Sequence, residues 1–197
     1  STEGYGFLWN NPSIGRAEFG KNLTRWVSSG CKQIDYYITV SENYHGIMKN
    51  YADVSGHSPA FPYWASGFWQ CKLRYTTQQE FLDVAREFKQ RELPLAVHVI
   101  DFLHWKRQGD WLLDPEFWPD PKAMVKEMDE MGIRIMISPW TLVEQESENF
   151  KPMKEKGLFS GSLDGSKDTV FFRHPNVYQY DPTNPEAARY LWEKWKE

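Results

Sequence analysis

The spacing of apolar residues changes twice along this chain, and each change marks a different kind of structure. Up to about residue 41 the pattern is that of strands. Tyr5-Gly-Phe-Leu-Trp9 is apolar and stops at the turn signal Asn10-Asn11-Pro12. Thr24-Arg-Trp-Val-Ser28 and the run from Gln33 to Val40 follow, the latter rich in β-branched and aromatic residues. Three such strands cannot close a core alone, so residues 1–41 read as the end of a larger β-domain. From Asn43 to Val54 the period becomes helical, with Tyr44, Ile47, Met48 and Tyr51 on one stripe. Ser55-Gly-His-Ser-Pro59 and Pro62 then close a connecting segment, residues 42–61.

Beyond Pro62, strands and helices alternate. Tyr63 to Tyr75 holds a strand and its exit loop; Thr77 then predicts an N-cap, with Glu80 completing a capping box ahead of the stripe Phe81, Val84, Ala85 and Phe88. Asp120 caps a further helix that has Pro121 at its first position and Gly132 at its end. Ile133-Arg-Ile-Met-Ile137 is a buried strand, and after a long loop Thr183 or Asn184 caps a last helix from Pro185. Alternation of this kind predicts an α/β fold with a parallel sheet and crossover helices. With no strand or breaker after Lys196-Glu197, three such units read as a cut through a larger protein.

The most informative stretch is Leu95-Ala-Val-His-Val-Ile-Asp101-Phe-Leu-His-Trp105. An apolar run broken only by His98 ends in Asp101, the place where an α/β barrel builds its chemistry. A carboxylate framed by Phe102, His104 and Trp105 suits a sugar, because aromatic faces cover C–H surfaces while the carboxylate accepts hydroxyl hydrogen bonds. The competing reading makes Asp101 a cap for the next segment.

Composition narrows the classes. At 41% hydrophobic and 16% aromatic, the 197 residues can bury a core, and a disordered chain is excluded. A net charge of −4 gives no general attraction to nucleic acid, and no apolar run approaches the ~20 residues of a membrane span, so neither partner is expected. Ten tryptophans could furnish a carbohydrate site, against the plainer expectation that at least half are core. Cys31 and Cys71 read as small buried hydrophobes, not a disulfide framework. The five histidines, His45, His57, His98, His104 and His174, show no metal-ligand spacing, so no metal site or cofactor is expected. There is no phosphate-binding glycine loop and no Gly-x-Ser-x-Gly elbow. The sequon Asn22-Leu-Thr24 is too short a motif to assign a compartment.

The chain resembles glycoside hydrolase family 31, the α-glucosidase and α-xylosidase family. The resemblance is carried by Pro62-Tyr-Trp-Ala-Ser-Gly-Phe-Trp-Gln-Cys71, Leu93-Pro-Leu-Ala-Val-His-Val-Ile-Asp101, the loop from Trp111 to Phe117-Trp-Pro-Asp-Pro121, Gly132-Ile-Arg-Ile-Met-Ile-Ser-Pro139 and Tyr180-Asp-Pro-Thr-Asn-Pro-Glu-Ala187. It implies that residues 1–41 end an N-terminal β-sandwich and that residues 62–197 are the first three β/α units of a (β/α)8 TIM barrel, truncated before the fourth strand. Asp101 then resembles the aspartate that binds outer hydroxyls in the −1 subsite, Phe102 a pocket wall, and Met136 a large apolar residue lining the same subsite. The family also sets an aromatic over the sugar near residues 73–75; Leu73 holds one matching position and Tyr75 is the nearest aromatic. His104, Trp105 and Trp140 are weaker candidates on loops facing the site.

By the same resemblance the intact protein is a retaining α-glycosidase acting on an oligosaccharide or glycoside, with one carboxylate attacking and another protonating. The family's nucleophile lies on a Trp-x-Asp strand segment followed closely by a glutamate, and no such segment occurs in these 197 residues, so no catalytic residue is assigned here. Asp110, Asp114 and Asp120 imitate a carboxylate set but match loop and capping positions, and Asp181 precedes Pro182 as a turn residue. The rest of the parent polypeptide is needed to complete the barrel. An α-glucosyltransferase of the same family, or a non-catalytic carbohydrate-binding fragment, are the alternatives.

Overall fold

The computed structural model describes residues 4–161 and 176–196, so His174 lies outside the described residues. The chain forms two compact units, residues 1–61 and 62–197.

The first unit holds four strands, β1 (Tyr5–Trp9), β2 (Gly15–Phe19), β3 (Thr24–Ser28) and β4 (Tyr36–Val40), followed by helix α1 (Tyr44–Ser55). β1 pairs antiparallel with β4, and β2 with β3. The sequence did not predict β2, whose Gly-Arg-Ala-Glu-Phe has a single large apolar residue; it forms because it is one arm of a hairpin closed by the Gly20–Leu23 turn. Trp26 of β3 joins the two pairs, lying 5.2 Å from Phe7, 6.4 Å from Trp9 and 5.6 Å from Phe19 between ring centroids. Asn43 caps α1 by accepting from the Gly46 amide at 2.9 Å.

In the second unit a single 3-10 turn at Tyr63–Ser66 precedes β5 (Trp69–Gln70), α2 (Gln78–Gln90), β6 (Val97–Ile100), α3 (Pro121–Glu130) and β7 (Arg134–Ile137). The three strands lie parallel in sequence order, with a helix in each crossover. Local chemistry sets the helix limits. The Thr77 hydroxyl accepts from the Glu80 amide at 3.1 Å, while the Glu80 carboxylate reaches back to the Thr76 amide at 2.7 Å, one residue earlier than the expected box. Asp120 accepts from the Ala123 amide at 2.9 Å, and α3 ends ahead of Gly132, whose φ of 75° suits a residue without a side chain.

The region read as a long loop is partly regular. It carries β8 (Leu142–Glu144), α4 (Phe150–Glu155) and β9 (Val177–Gln179), with β8 and β9 antiparallel, before α5 (Pro185–Lys196). These elements are too short for a periodic signal, and a core of Trp111, Val143, Met153, Leu158, Phe159, Ala187 and Leu191 holds them together. Asn184, not Thr183, caps α5, accepting from the Glu186 amide at 2.9 Å, and Thr183 is instead tied to Asp181.

Two compositional expectations are corrected. Cys31 and Cys71 are exposed, because each stands in an irregular connection and not on the inward face of a strand. Of the ten tryptophans only Trp105, Trp111 and Trp118 are buried within this chain.

Candidate functional site

Strand alternation decides what each residue of the parallel sheet can touch. His98 stacks on Phe81 of α2, with centroids 3.9 Å apart and planes within 10°. That fixes the helix-covered face of β6 as His98 and Ile100. Register then places Ile135 beside His98 and Met136 beside Val99, on opposite faces of β7. Ile135 packs on the core formed by Phe81, Ile100, Met124 and Met128, whereas Met136 is 44% exposed. Ile137 shares the face of Ile135 but stands at the open end of the strand and is exposed.

Asp101 leaves the sheet directly after the last rung, where the Ser138 amide donates to the Ile100 carbonyl at 2.9 Å. Its carboxylate Oδ1 accepts from Nε1 of Trp140 at 3.0 Å. Phe102 lies 4.8 Å from the Trp140 ring and 6.1 Å from that of Trp105. His104 Nδ1 is 2.6 Å from the Asp101 carbonyl; since a carbonyl only accepts, Nδ1 carries the proton of a neutral ring. Burial holds the His104 pKa below the usual histidine value, so the ring keeps that neutral form. Asp101, Phe102 and Trp140 are each half-buried, and together with Met136 they give the accessible part of the constellation.

Three predicted site residues take other places. Tyr75 is 2% exposed and lies in the core, edge-on to Phe81 at 5.3 Å and to His98 at 4.7 Å, with its hydroxyl near Gln70 Nε2 at 3.2 Å. It therefore sits on the helix-covered side of β6 and not over a sugar. Leu73, the other match, is exposed with a left-handed φ of 70°. His104 and Trp105 are 2% and 5% exposed, so they support Asp101 and Phe102 from beneath and offer a ligand almost no surface.

The aspartates that imitate a carboxylate set, and Asp181, are held by hydrogen bonds. Asp110 accepts from the Glu148 amide at 3.1 Å, Asp114 from the Glu116 amide at 3.0 Å, and Asp120 caps α3. Asp181 accepts from the Thr183 hydroxyl at 2.6 Å, which lowers its pKa. Among the described residues no cluster of three or more His, Cys, Asp or Glu could hold a metal ion, and no helix is long and apolar enough to cross a membrane. A hollow of about 850 Å³ in the first unit is lined by Trp9, Asn10, Lys32 and Asp35, but the Asp35 carboxylate is taken by Asn10 Nδ2 at 2.7 Å. That hollow holds none of the predicted site residues.

Residue identity alone did not reveal Trp111. Its Nε1 donates to the Trp140 carbonyl at 2.8 Å from a buried, left-handed position, φ 58°. The sequence signals were its place between two aspartates and at the start of the matching loop after the Asp101 strand.

Comparison with known proteins gives one consistent result. Residues 58–197 match the glycosyl hydrolases family 31 TIM-barrel domain. An uncharacterised family 31 glucosidase of Pseudescherichia vulneris is 48% identical over 196 residues, covering all of this chain and 37% of that protein. Alpha-xylosidase A of Aspergillus niger is 35% identical, again over the whole chain, and the chain spans 27% of its length. A crystal structure of a family 31 α-xylosidase from a soil metagenome, complexed with xylose, superposes with a TM-score of 0.92 at 48% identity, over 99% of this chain and 29% of that one.

Proposed function

Because the chain belongs to glycosyl hydrolase family 31, we propose that its residues 62–197 form one wall of the −1 subsite of a retaining α-glycosidase. The observation that carries this reading is the Asp101 carboxylate, set at the exit of β6, anchored by Trp140 and edged by Phe102. Asp101 accepts hydrogen bonds from outer sugar hydroxyls, Phe102 covers a C–H face, and Met136 lines the same space from β7. Residues 1–41 end a β-sandwich, residues 42–61 connect it, and β5, β6 and β7 are the first strands of a (β/α)8 barrel. The chain spans about a third of the relatives it matches, and the nucleophile and the acid/base belong to the part of the protein outside these 197 residues.

The substrate class is an α-linked xyloside or glucoside. An α-xylosidase at 35% identity and a xylose-bound α-xylosidase structure at 48% favour the xyloside; the 48% identical glucosidase keeps the glucoside in view. The test is hydrolysis of aryl α-xyloside and aryl α-glucoside by the full-length protein, with the first-formed anomer read by proton NMR. Release of the α-anomer supports retention. Release of the β-anomer overturns it, and transfer products in place of free sugar would assign the glucosyltransferase. No turnover of either glycoside removes the proposal.

A further inference from the structure

We propose that Trp140 is a positioning residue that fixes the carboxylate of Asp101, and that Trp111 fixes Trp140 in turn. The inference rests on reading Asp101 as a sugar ligand. Asp101 lies past the last rung of the sheet, so strand pairing does not restrain its side chain, and a free aspartate samples several rotamers. One donor restrains it, the Trp140 indole at 3.0 Å. Indole Nε1 can only donate, and a bond to a carboxylate is charge-assisted, so this contact selects one orientation of the acceptor. Among the described residues Oδ2 accepts no hydrogen bond, which leaves it free for a hydroxyl.

Trp140 is itself held on two sides. Its ring meets Phe102, the neighbour of Asp101, at 4.8 Å. Its carbonyl accepts from Trp111 Nε1 at 2.8 Å. Trp111 keeps a left-handed backbone that bulky residues rarely adopt, and such a conformation persists only where the surroundings impose it. They do so here: Trp111 is part of the core with Val143, Met153 and Leu191. The two residues before it are tied to the start of α4, Asp110 by the Glu148 amide and the Gly109 carbonyl by Asn149 Nδ2 at 2.8 Å. A relay thus runs from the start of α4 through Trp111 and Trp140 to the carboxylate after β6. A carboxylate ordered before the sugar arrives loses less freedom on binding, and its misplacement is costly.

A double-mutant cycle in the full-length protein tests this. Trp140→Phe keeps an aromatic ring and removes the donor; it is expected to lower kcat/KM by about tenfold, the worth of one hydrogen bond to a charged group. In an Asp101→Ala background the same change is expected to cost less than about twofold, because the group it acts through is gone. Equal losses in both backgrounds would show that Trp140 touches the sugar itself or only supports the fold, and would overturn the proposal. Crystal structures of the Trp140→Phe protein give a reading independent of turnover. Asp101 spread over more than one rotamer supports the relay, and Asp101 unmoved overturns it. Wild-type protein inactive on both aryl glycosides would fail the proposed function, while the Asp101 rotamer would still decide the role of Trp140.

Discussion

His98 stacks flat on Phe81 at 3.9 Å in the middle of β6, which is buried at all four positions, and neither of its ring nitrogens has a partner among the described residues. Its other aromatic neighbour, Tyr75, is uncharged as well. Burial pushes the His98 pKa down to about 4, so the folded protein keeps the ring neutral. Because the folded pKa lies below the unfolded value near 6.5, the unfolded chain takes up the proton first. The stability His98 allows is therefore complete above about pH 6.5 and lost as pH falls toward 4. The loss is expected to be on the order of 2 kcal/mol, read as the opening free energy of β6 amides by hydrogen exchange between pH 7.5 and 4.5. His98→Leu should remove most of that dependence; an identical pH slope in the variant contradicts the assignment.

Asp101→Ala is expected to lower kcat/KM of the full-length enzyme by on the order of 10², since a charged hydrogen bond to the sugar is lost and the substrate is misplaced. Stability should barely change, because the carboxylate lies outside the core. A Tm within about 2 °C of wild type, together with the kinetic loss, is the expected pair of results. Wild-type turnover in this variant sinks the sugar-ligand role.

Neighbours on β7 should behave oppositely. Ile135→Ala removes a side chain packed under the helices and is expected to cost roughly 2 kcal/mol in denaturant unfolding with little effect on KM. Met136→Ala should raise KM several-fold and leave stability within roughly 0.5 kcal/mol, as its side chain faces away from that core. The reverse pattern would mean that Met136 lines no subsite.

The start of α2 is sensitive to acid. The Lys72 ammonium, the Thr76 amide and the Thr76 hydroxyl hold Glu80 at a pKa of about 2. Its folded value is below the usual carboxylate value of 4.5, so its contribution is present above about pH 4.5 and disappears as pH falls toward 2. The group is partly exposed, so solvent screens the ion pair and the expected size is only about 1 kcal/mol. Denaturant unfolding of Glu80→Gln against wild type at pH 7 and pH 3 measures it; the two proteins should converge at low pH.

The 197-residue chain alone is expected to show no hydrolysis of aryl α-glycosides, as Asp110, Asp114 and Asp120 serve the backbone. Asp114→Asn in the full-length protein should keep activity within severalfold. Activity of residues 1–197 that vanishes on changing any of these three aspartates would move the catalytic carboxylates into this chain.

What the sequence determined by itself was whatever chemistry acts over a few residues. Thr77 and Asp120 are caps because a side-chain oxygen reaches an amide three residues on, and that reach is written in the local order of residues. The apolar run ending in Asp101 announced a buried strand with a carboxylate at its exit for the same reason. Tertiary structure decided the rest. Tyr75 and Leu73 are two residues apart, yet one is sealed under α2 and the other stands exposed, since a left-handed turn at Leu73 redirects the chain between them. Trp140 and Asp101 are 39 residues apart, and their hydrogen bond exists only because β6 and β7 pair in parallel and bring both exits to one end. Which aromatics are accessible beside Asp101 and which lie beneath it depends on that pairing and on the packing of β8 and α4. Neither leaves a mark in spacing or composition, because each is set by contacts between segments far apart in the chain.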